Sequence, residues 1–483
     1  LLSITDFLAD FILTSQTTMT HPPEHSLLKF LRSALQTHRR FVAGGLSRAE
    51  APVYVIGNPS ADLDSIISAL VYSYFANTTS RRHVPLLNLP NVASGPELRR
   101  LRPEFVKALW LSTQPPVNGD EAWDETAESA GPLLREHILT VADFATHIKQ
   151  RGSDQGERLI ADAVLVDWNS LPSRAADGQQ GKGSLDGLLN VDFRVIGCVD
   201  HHANEGFCAP EISPLLITTS GSCASLLVQA LGSMGAWPGC QEGDDALSTT
   251  REEAQVAQLA LAPILIDTAN LTAEDKVTPH DTSAHDILLR KINQAGVQAS
   301  AKHDDFYTQI LETKQNSLDL LTVEEVLDRD YKQWTETSSS HPSKPLNIGF
   351  CSMVKSISWI VEKAGGPQAF LDKLCAFATQ RELGIVVVMT AFTSKTSDKF
   401  CRELLVCALD DGLATDALKS FVSQAASQLG LEEWSARDDD ERDILTIKRT
   451  LDNEPSRRIW LQKDVTKSRK QVAPLIRGAV ASL

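Results

Sequence analysis

Between residues 53 and 270 the chain alternates short, almost wholly apolar runs with segments of helical periodicity. That alternation restricts the fold more than any other feature. The runs are VYVIG (53–57), AVLVD (163–167), VIGCVD (195–200) and APILID (262–267). A strand that is apolar on both faces has to be covered on both faces, as in a parallel sheet flanked by helices. The stretches SIISALVYSYFA (65–76), 131–150, SCASLLVQALG (222–232) and REEAQVAQLAL (251–261) supply the helices. Elements in this order predict an α/β fold, a doubly wound and mainly parallel-sheet domain over residues 25–280. The loops 173–187 and 232–250, rich in small and polar residues, are expected to be surface insertions.

With 483 residues the chain exceeds one ordinary domain. Residues 1–24 read as an N-terminal extension of unassigned status and 281–300 as a connector, able to act as a hinge. Residues 301–483 read as a smaller α+β domain, with strands LNIGFCSMV, LGIVVVMTAF, ELLVCAL and RIWLQ and a long helix SWIVEKAGGPQAFLDKLCAFATQ.

The formal net charge is −16, which argues against a general nucleic-acid or anionic-membrane binder. A polyanion could still be held where metal ions or a few Lys and Arg gather. The eight cysteines form no CxxC pair and several lie in apolar runs, as expected of a reducing, cytoplasmic compartment. No run of 18 apolar residues predicts a membrane span.

Each of the four apolar runs ends in or leads into aspartate: Asp62 and Asp64, Asp167, Asp200 with His201 and His202, and Asp267. Ligands of open parallel sheets bind at the carboxyl ends of the strands. Aspartate in such a place also serves as a helix N-cap or turn residue. Gathered at one edge, however, these carboxylates repel unless a cation lies among them. A mixed Asp/His set without thiolates suits Mg²⁺, Mn²⁺ or Co²⁺ better than structural zinc.

In chain order, SADLDS (60–65), VDWN (166–169), VDHH (199–202) and IDTAN (266–270) resemble the four motifs of the DHH phosphoesterases. KSRKQVAPL (467–475) is similar to the SRK motif of the DHHA2 domain, DRDYKQW (328–334) to its basic position, and GSCASLL (221–227) fits the same subgroup. The resemblance covers roughly residues 25–483 and is closest to the fungal exopolyphosphatases, relatives of prune proteins and family II inorganic pyrophosphatases. Asn58 stands where the pyrophosphatases carry a metal-ligand His. As a neutral amide ligand it would be weak and would favour Mg²⁺ over softer ions.

The resemblance implies a metal-dependent hydrolase of phosphoanhydrides, an exopolyphosphatase (EC 3.6.1.11), with its site in a cleft between the two domains. Asp62, Asp64, Asp167, His201 and Asp267 would hold two divalent ions, with Asp167 as bridge. Mg²⁺ is favoured, with Mn²⁺ or Co²⁺ as substitutes. His202 would contact the phosphate or protonate the leaving group. Lys332, Arg469 and Lys470 would grip the end of inorganic polyphosphate, with Arg381, Lys395 and Lys399 as candidates for a longer track. Nucleic-acid and membrane partners are not expected, and a monomer is compatible with the sequence. The alternatives are an inorganic pyrophosphatase, a prune-like short-chain polyphosphatase or nucleotide phosphodiesterase, and a non-catalytic interaction protein.

Overall fold

The computed structural model describes residues 25–483 except 78–80, 118, 121, 151–157, 175–178, 241–247, 297–302, 320, 341–342, 395–396, 398, 410–411, 436–440 and 454. The expected N-terminal extension and Lys395 therefore lie outside the described residues.

The first sheet contains β1 (Val53–Ile56), β2 (His83–Leu86), β3 (Leu159–Val166), β4 (Ser173–Arg174), β5 (Lys182–Ser184), β6 (Val191–Asp200) and β7 (Leu215–Ile217). Its order is β2-β1-β3-β6-β5-β4, with β7 also on β6. Pairing is parallel from β2 through β1 and β3 to β6 and β7, and antiparallel at β5 and β4. The register sets Ile56 beside Leu165 and Val166 beside Val199, so loop 57–62, Asp167 and His201 leave the sheet at one edge. Helix Leu27–Val42 packs on β2 and on helices Ala127–His137 and Val141–Gln150. Helix Leu63–Ala76 packs on helices Cys223–Ser233 and Arg251–Asp267. Tyr54 of β1 meets the first group, stacking near Phe144 and hydrogen bonding to His38 Nδ1 at 2.9 Å.

Three expectations need correction. APILID is not a strand; it is the end of helix Arg251–Asp267. Ala254 to Leu265 is buried nearly all round, except Gln258, and a helix apolar on every side looks like a buried strand over six residues. The segments 173–187 and 232–250 are also not plain insertions. The first supplies β4 and β5 and buries Leu185, while the second buries Trp237, stacked on Phe75 at 3.9 Å. Finally, the long helix of the second unit is two helices, Ile357–Ala364 and Pro367–Gln380. Between them Gly365 (φ 93°) and Gly366 (φ 122°) adopt backbone conformations that side chains resist.

Helix Pro279–Gln294, which overlaps most of the stretch 281–300 expected to connect the units, packs on helices Arg251–Asp267 and Cys223–Ser233. Phe306 and Ile310 of helix His303–Asn316 also join the first core.

The second sheet comprises β8 (Tyr331–Glu336), β9 (Leu346–Met353), β10 (Ile385–Thr390), β11 (Phe392–Thr393), β12 (Phe400–Ala408), β13 (Leu431–Glu433) and β14 (Arg457–Gln462). Its order is β13-β14-β12-β10-β9-β8, with β11 on β12, and it is antiparallel except between β9 and β10. Alternation along β10 sends Val386 and Val388 into one core and Ile385, Val387 and Met389 into another. Helices cover both faces, which accounts for a strand buried at every position. None of the eight cysteines forms a disulfide, and no described helix is long and apolar enough to cross a membrane.

Candidate active site

The site begins where β1 turns into helix Leu63–Ala76. Gly57 lies so close to this helix that a Cβ would sit 2.9 Å from Ser65. Asn58 accepts from Ser60 N–H at 2.8 Å through Oδ1 and donates through Nδ2 to Asp167 Oδ2 at 2.7 Å. In this arrangement its amide positions Asp167. Asp62 is the helix N-cap and accepts from Ser65 N–H at 3.0 Å. Asp64, in the first turn, is buried against the N-terminus of helix Cys223–Ser233. It accepts from Cys223 N–H at 2.6 Å, Ala224 N–H at 3.1 Å and Ser222 Oγ at 3.0 Å. A helix N-terminus favours a carboxylate there.

Asp167 follows β3 in the left-handed region, φ 54°, which turns its carboxylate back over the sheet edge. Oδ2 accepts from Asn58 and, at 2.6 Å, from Ser65 Oγ. Oδ1 is buried and has no hydrogen-bond donor directed at it. Facing it are His201 Nε2 at 3.1 Å and His202 Nδ1 at 3.6 Å. One ligand atom from each of these three residues lies within 4.8 Å of the others.

The second ring nitrogens separate the two histidines. His201 Nδ1 lies 3.0 Å from Ser220 O, a carbonyl that only accepts, so Nδ1 carries a proton and Nε2 is the nitrogen that faces Asp167. His202 Nδ1 lies 2.8 Å from Asp200 Oδ1 and is held by it. Asp200 is fully buried, and its other oxygen accepts from Asn169. His201 is thus poised as a cation ligand and His202 as an oriented imidazole with Nε2 remaining.

The charges show the same need for a cation. Burial, then Asp167, Asp267 and Asp330, push the Asp62 carboxyl up to about 6. Burial with Asp167 and Asp267 pushes Asp64 well above the carboxylate range. Burial opposes ionisation of Asp167 too, yet the neighbouring His201 and His202 hold it below its ordinary value. His201, resisted by burial, is drawn up to about 9 by Asp167. A buried, donor-free carboxylate oxygen facing an imidazole nitrogen, with further carboxylates nearby, fits a divalent cation.

Asp267 ends helix Arg251–Asp267 and stands outside the compact Asp167–His201–His202 group, though its field reaches Asp62 and Asp64. From the second unit, Lys332 on β8 is close enough to lower His202, and exposed Lys470 to lower His201. Arg469 opens helix Arg469–Ala481; its Nη1 donates to Asp330 O at 3.0 Å and Ser352 Oγ at 3.2 Å, and it forms an ion pair with Asp330 Oδ1 at 2.9 Å. Arg381 lies elsewhere, paired with Asp328 and seated over Phe377.

Residues 308–479, which carry these cations, match the family model for the DHHA2 domain. The C-terminal unit is a DHHA2 domain. A Schizosaccharomyces pombe (strain 972 / ATCC 24843) protein named "Putative exopolyphosphatase" is 27% identical over 462 residues, 94% of this chain and 97% of that protein. The resemblance to DHH/DHHA2 phosphoesterases read from the motifs is thereby borne out. Two solved structures are also similar. A Methanococcus jannaschii "putative family II inorganic pyrophosphatase" has TM-score 0.48 and 17% identity, covering 88% of this chain and 98% of its own. An "exopolyphosphatase-related protein" from Bacteroides fragilis has TM-score 0.33 and 12% identity, covering 86% and 95%.

Several residues of the site escaped the motif reading. Asp330 of the DHHA2 domain sits inside DRDYKQW, beside the lysine chosen there, and its charge reaches Asp62. Asp281, fully buried at the first turn of helix Pro279–Gln294, organises the loop that holds His201 and Asp64. Its Oδ1 accepts from Ser220 Oγ (2.9 Å), Ser222 N–H (3.2 Å) and Ser225 Oγ (2.7 Å). Its Oδ2 accepts from Gly221 N–H (2.9 Å), Thr278 N–H (2.8 Å) and Thr278 Oγ1 (2.8 Å). The capping box of Thr278 and Asp281 was a visible signal for the helix start, though not for this second use.

Proposed function

We propose that the chain is a metal-dependent exopolyphosphatase that hydrolyses the terminal phosphoanhydride bond of linear inorganic polyphosphate and releases orthophosphate. The observation that carries this is Asp167 Oδ1, buried without a donor and facing His201 Nε2, with the charges of DHHA2 residues Lys332 and Lys470 acting on the same two histidines. The division of labour expected between residues 25–280 and 301–483 follows: carboxylates from one unit, cations from the other.

In this proposal Asp62, Asp64, Asp167, His201 and Asp267 hold two divalent ions, with Mg²⁺ favoured by the oxygen-rich donor set and Asn58 supporting Asp167. When bound, the ions supply Lewis acidity toward the phosphoryl oxygens and make the attacking water more acidic. Lys332, Arg469 and Lys470 bind the terminal phosphates and offset the chain's overall negative charge locally. Water adds to the terminal phosphorus as the bond to the bridging oxygen breaks. His202, its ring fixed by Asp200 accepting from Nδ1–H, acts in its doubly protonated form: it gives the Nε2 proton to that leaving oxygen and becomes neutral, while the protons of the attacking water stay on the released orthophosphate. The cytoplasm is the proposed location, consistent with eight cysteines outside disulfides.

The test is phosphate release with Mg²⁺ from long polyphosphate, tripolyphosphate and pyrophosphate in parallel, with Asp167→Ala as control. Release from the longer chains, none from pyrophosphate and an inactive control are expected. Release confined to pyrophosphate would replace the assignment with an inorganic pyrophosphatase. No release with Mg²⁺, Mn²⁺ or Co²⁺ would favour the interaction-protein alternative.

A further inference from the structure

Arg102 is only 4% exposed, and among the described residues its hydrogen-bond acceptors are four backbone carbonyls. Nε donates to Ala61 O at 2.7 Å and Nη2 to Ser60 O at 2.6 Å. Nη2 also donates to Arg329 O at 3.0 Å, and Nη1 to Leu101 O at 2.9 Å. Ser60 and Ala61 belong to the loop that leads into Asp62 and Asp64, and Ala61 is held at φ 43°, a conformation alanine does not choose freely. Arg329 immediately precedes Asp330 and the start of β8, which carries Lys332. One planar guanidinium therefore joins the two halves of the candidate site through main chain.

A buried charge is a costly way to satisfy carbonyls. Only a guanidinium presents several donors in one fixed plane, so that the loop and the strand are held relative to each other as well as individually. The surrounding seam fixes the same spacing. Arg329 pairs with both oxygens of Glu104 at 2.6 and 2.7 Å and donates to Leu101 O at 2.7 Å, while Arg100 pairs with Glu325.

We propose that Arg102 is a positioning residue that couples the metal-binding loop to the phosphate-binding strand of the DHHA2 domain, so that cation and polyphosphate end are held in register. The inference rests on the exopolyphosphatase reading for its substrate half and on the carboxylate cluster alone for its metal half. It goes beyond that reading by assigning the link between the halves to a residue that touches neither metal nor substrate.

The experiment compares wild type, Arg102→Lys, Arg102→Gln and Arg100→Lys after chelator treatment. Mn²⁺ affinity is read by isothermal titration calorimetry, kcat and KM with tripolyphosphate, and folding by thermal melting. For Arg102→Lys, Mn²⁺ affinity falls about tenfold, the scale of a lost outer-sphere support. KM rises severalfold, while kcat at saturating Mn²⁺ and substrate changes little. Arg100→Lys, which perturbs the seam away from the loop, keeps wild-type Mn²⁺ affinity and KM. A folded Arg102→Lys with wild-type Mn²⁺ affinity and KM overturns the proposal. So does a lowered melting temperature without those two changes, or failure of both Arg102 variants to fold, since either assigns Arg102 to the scaffold. Wild type that binds Mn²⁺ but hydrolyses no polyphosphate would refute the function, and the Mn²⁺ titration would still decide the metal half.

Discussion

Replacing Asp281 by asparagine tests whether one carboxylate holds the loop beneath the candidate metal site. The geometry dictates how the amide must lie. On the Oδ2 side, Gly221 N–H and Thr278 N–H are fixed donors, so the new NH₂ cannot sit there. It goes to the Oδ1 side, where the Ser220 and Ser225 hydroxyls can rotate to accept from it. Ser222 N–H cannot rotate and loses its acceptor. One buried amide without a partner costs about 1–3 kcal/mol, and the remaining bonds lose their ionic character, for a total of about 3 kcal/mol. In a cooperative unit of this size that lowers the melting temperature by roughly 5–10 °C. The same loop carries Ser220 O, which orients His201, and Ser222 Oγ, which reaches Asp64, so Mn²⁺ affinity measured calorimetrically should fall as well.

The effect has a defined pH dependence. Burial would raise the Asp281 carboxyl, but bonds from Ser225, Gly221 and Thr278 outweigh it and hold the group below its ordinary value of 3.8. A depressed carboxyl contributes stability that is complete above the unfolded value and is lost as pH falls through the folded one. The stability gap between wild type and Asp281→Asn should therefore be constant near neutrality and narrow below about pH 4. A melting temperature within about 2 °C of wild type at pH 7, or a gap that widens on acidification, would refute the reasoning.

Three further outcomes are expected. Asp200→Asn should lower kcat on polyphosphate about a hundredfold with little change in KM, because Asn169, held by Glu205 N–H, donates to the one remaining oxygen and leaves the new NH₂ facing His202 Nδ1; steady-state kinetics decide it. Adding Mn²⁺ to chelator-treated protein at about 100 times its Kd should stabilise the fold by about 2.7 kcal/mol, seen as a higher melting temperature, and Asp167→Ala should abolish most of that gain. Glu104→Gln leaves Arg329 partly uncompensated at side-chain exposures of 5% and 11%, and should cost about 3 kcal/mol in urea unfolding.

What was legible in the sequence divides along a physical line. The strands before Asp62 and Asp167, and the one that ends in Asp200, could be read because a strand covered on both faces has to be apolar throughout. APILID has the same composition for a different reason. It ends a helix enclosed on every side, and Pro263 was the one local sign against a central strand. The placement of Asp267 near the other carboxylates does not depend on that distinction, since its field reaches Asp62 and Asp64 from a helix end. The errors at Trp237 and Leu185 arose because flanking polarity hid single buried anchors, and a lone apolar residue has no period to detect. Trp237 is held by its indole N–H to Glu253 at 2.8 Å, and that glutamate by Lys291 at 2.7 Å, a buried polar chain whose members lie far apart in sequence.

Arg102, Asp281 and Asp330 mark a deeper limit. Each is a charged residue in a stretch whose composition suits a solvated surface, and each acquires its role only through partners at long range. Arg102 reaches Ser60 and Arg329, Asp281 reaches Ser220 to Ser225, and Arg469 reaches Asp330. Motif reading finds ligands because the chemistry of a metal or phosphate demands particular side chains at particular spacings. The groups that hold those ligands satisfy backbone atoms, and any residue has a backbone. A carbonyl at Ser60 or an amide at Gly221 imposes no composition on its partner beyond a donor or an acceptor. The supporting contacts therefore become visible only when the fold has brought the chain together, and mutations at Arg102 and Asp281 test the part of this site that the motifs could not express.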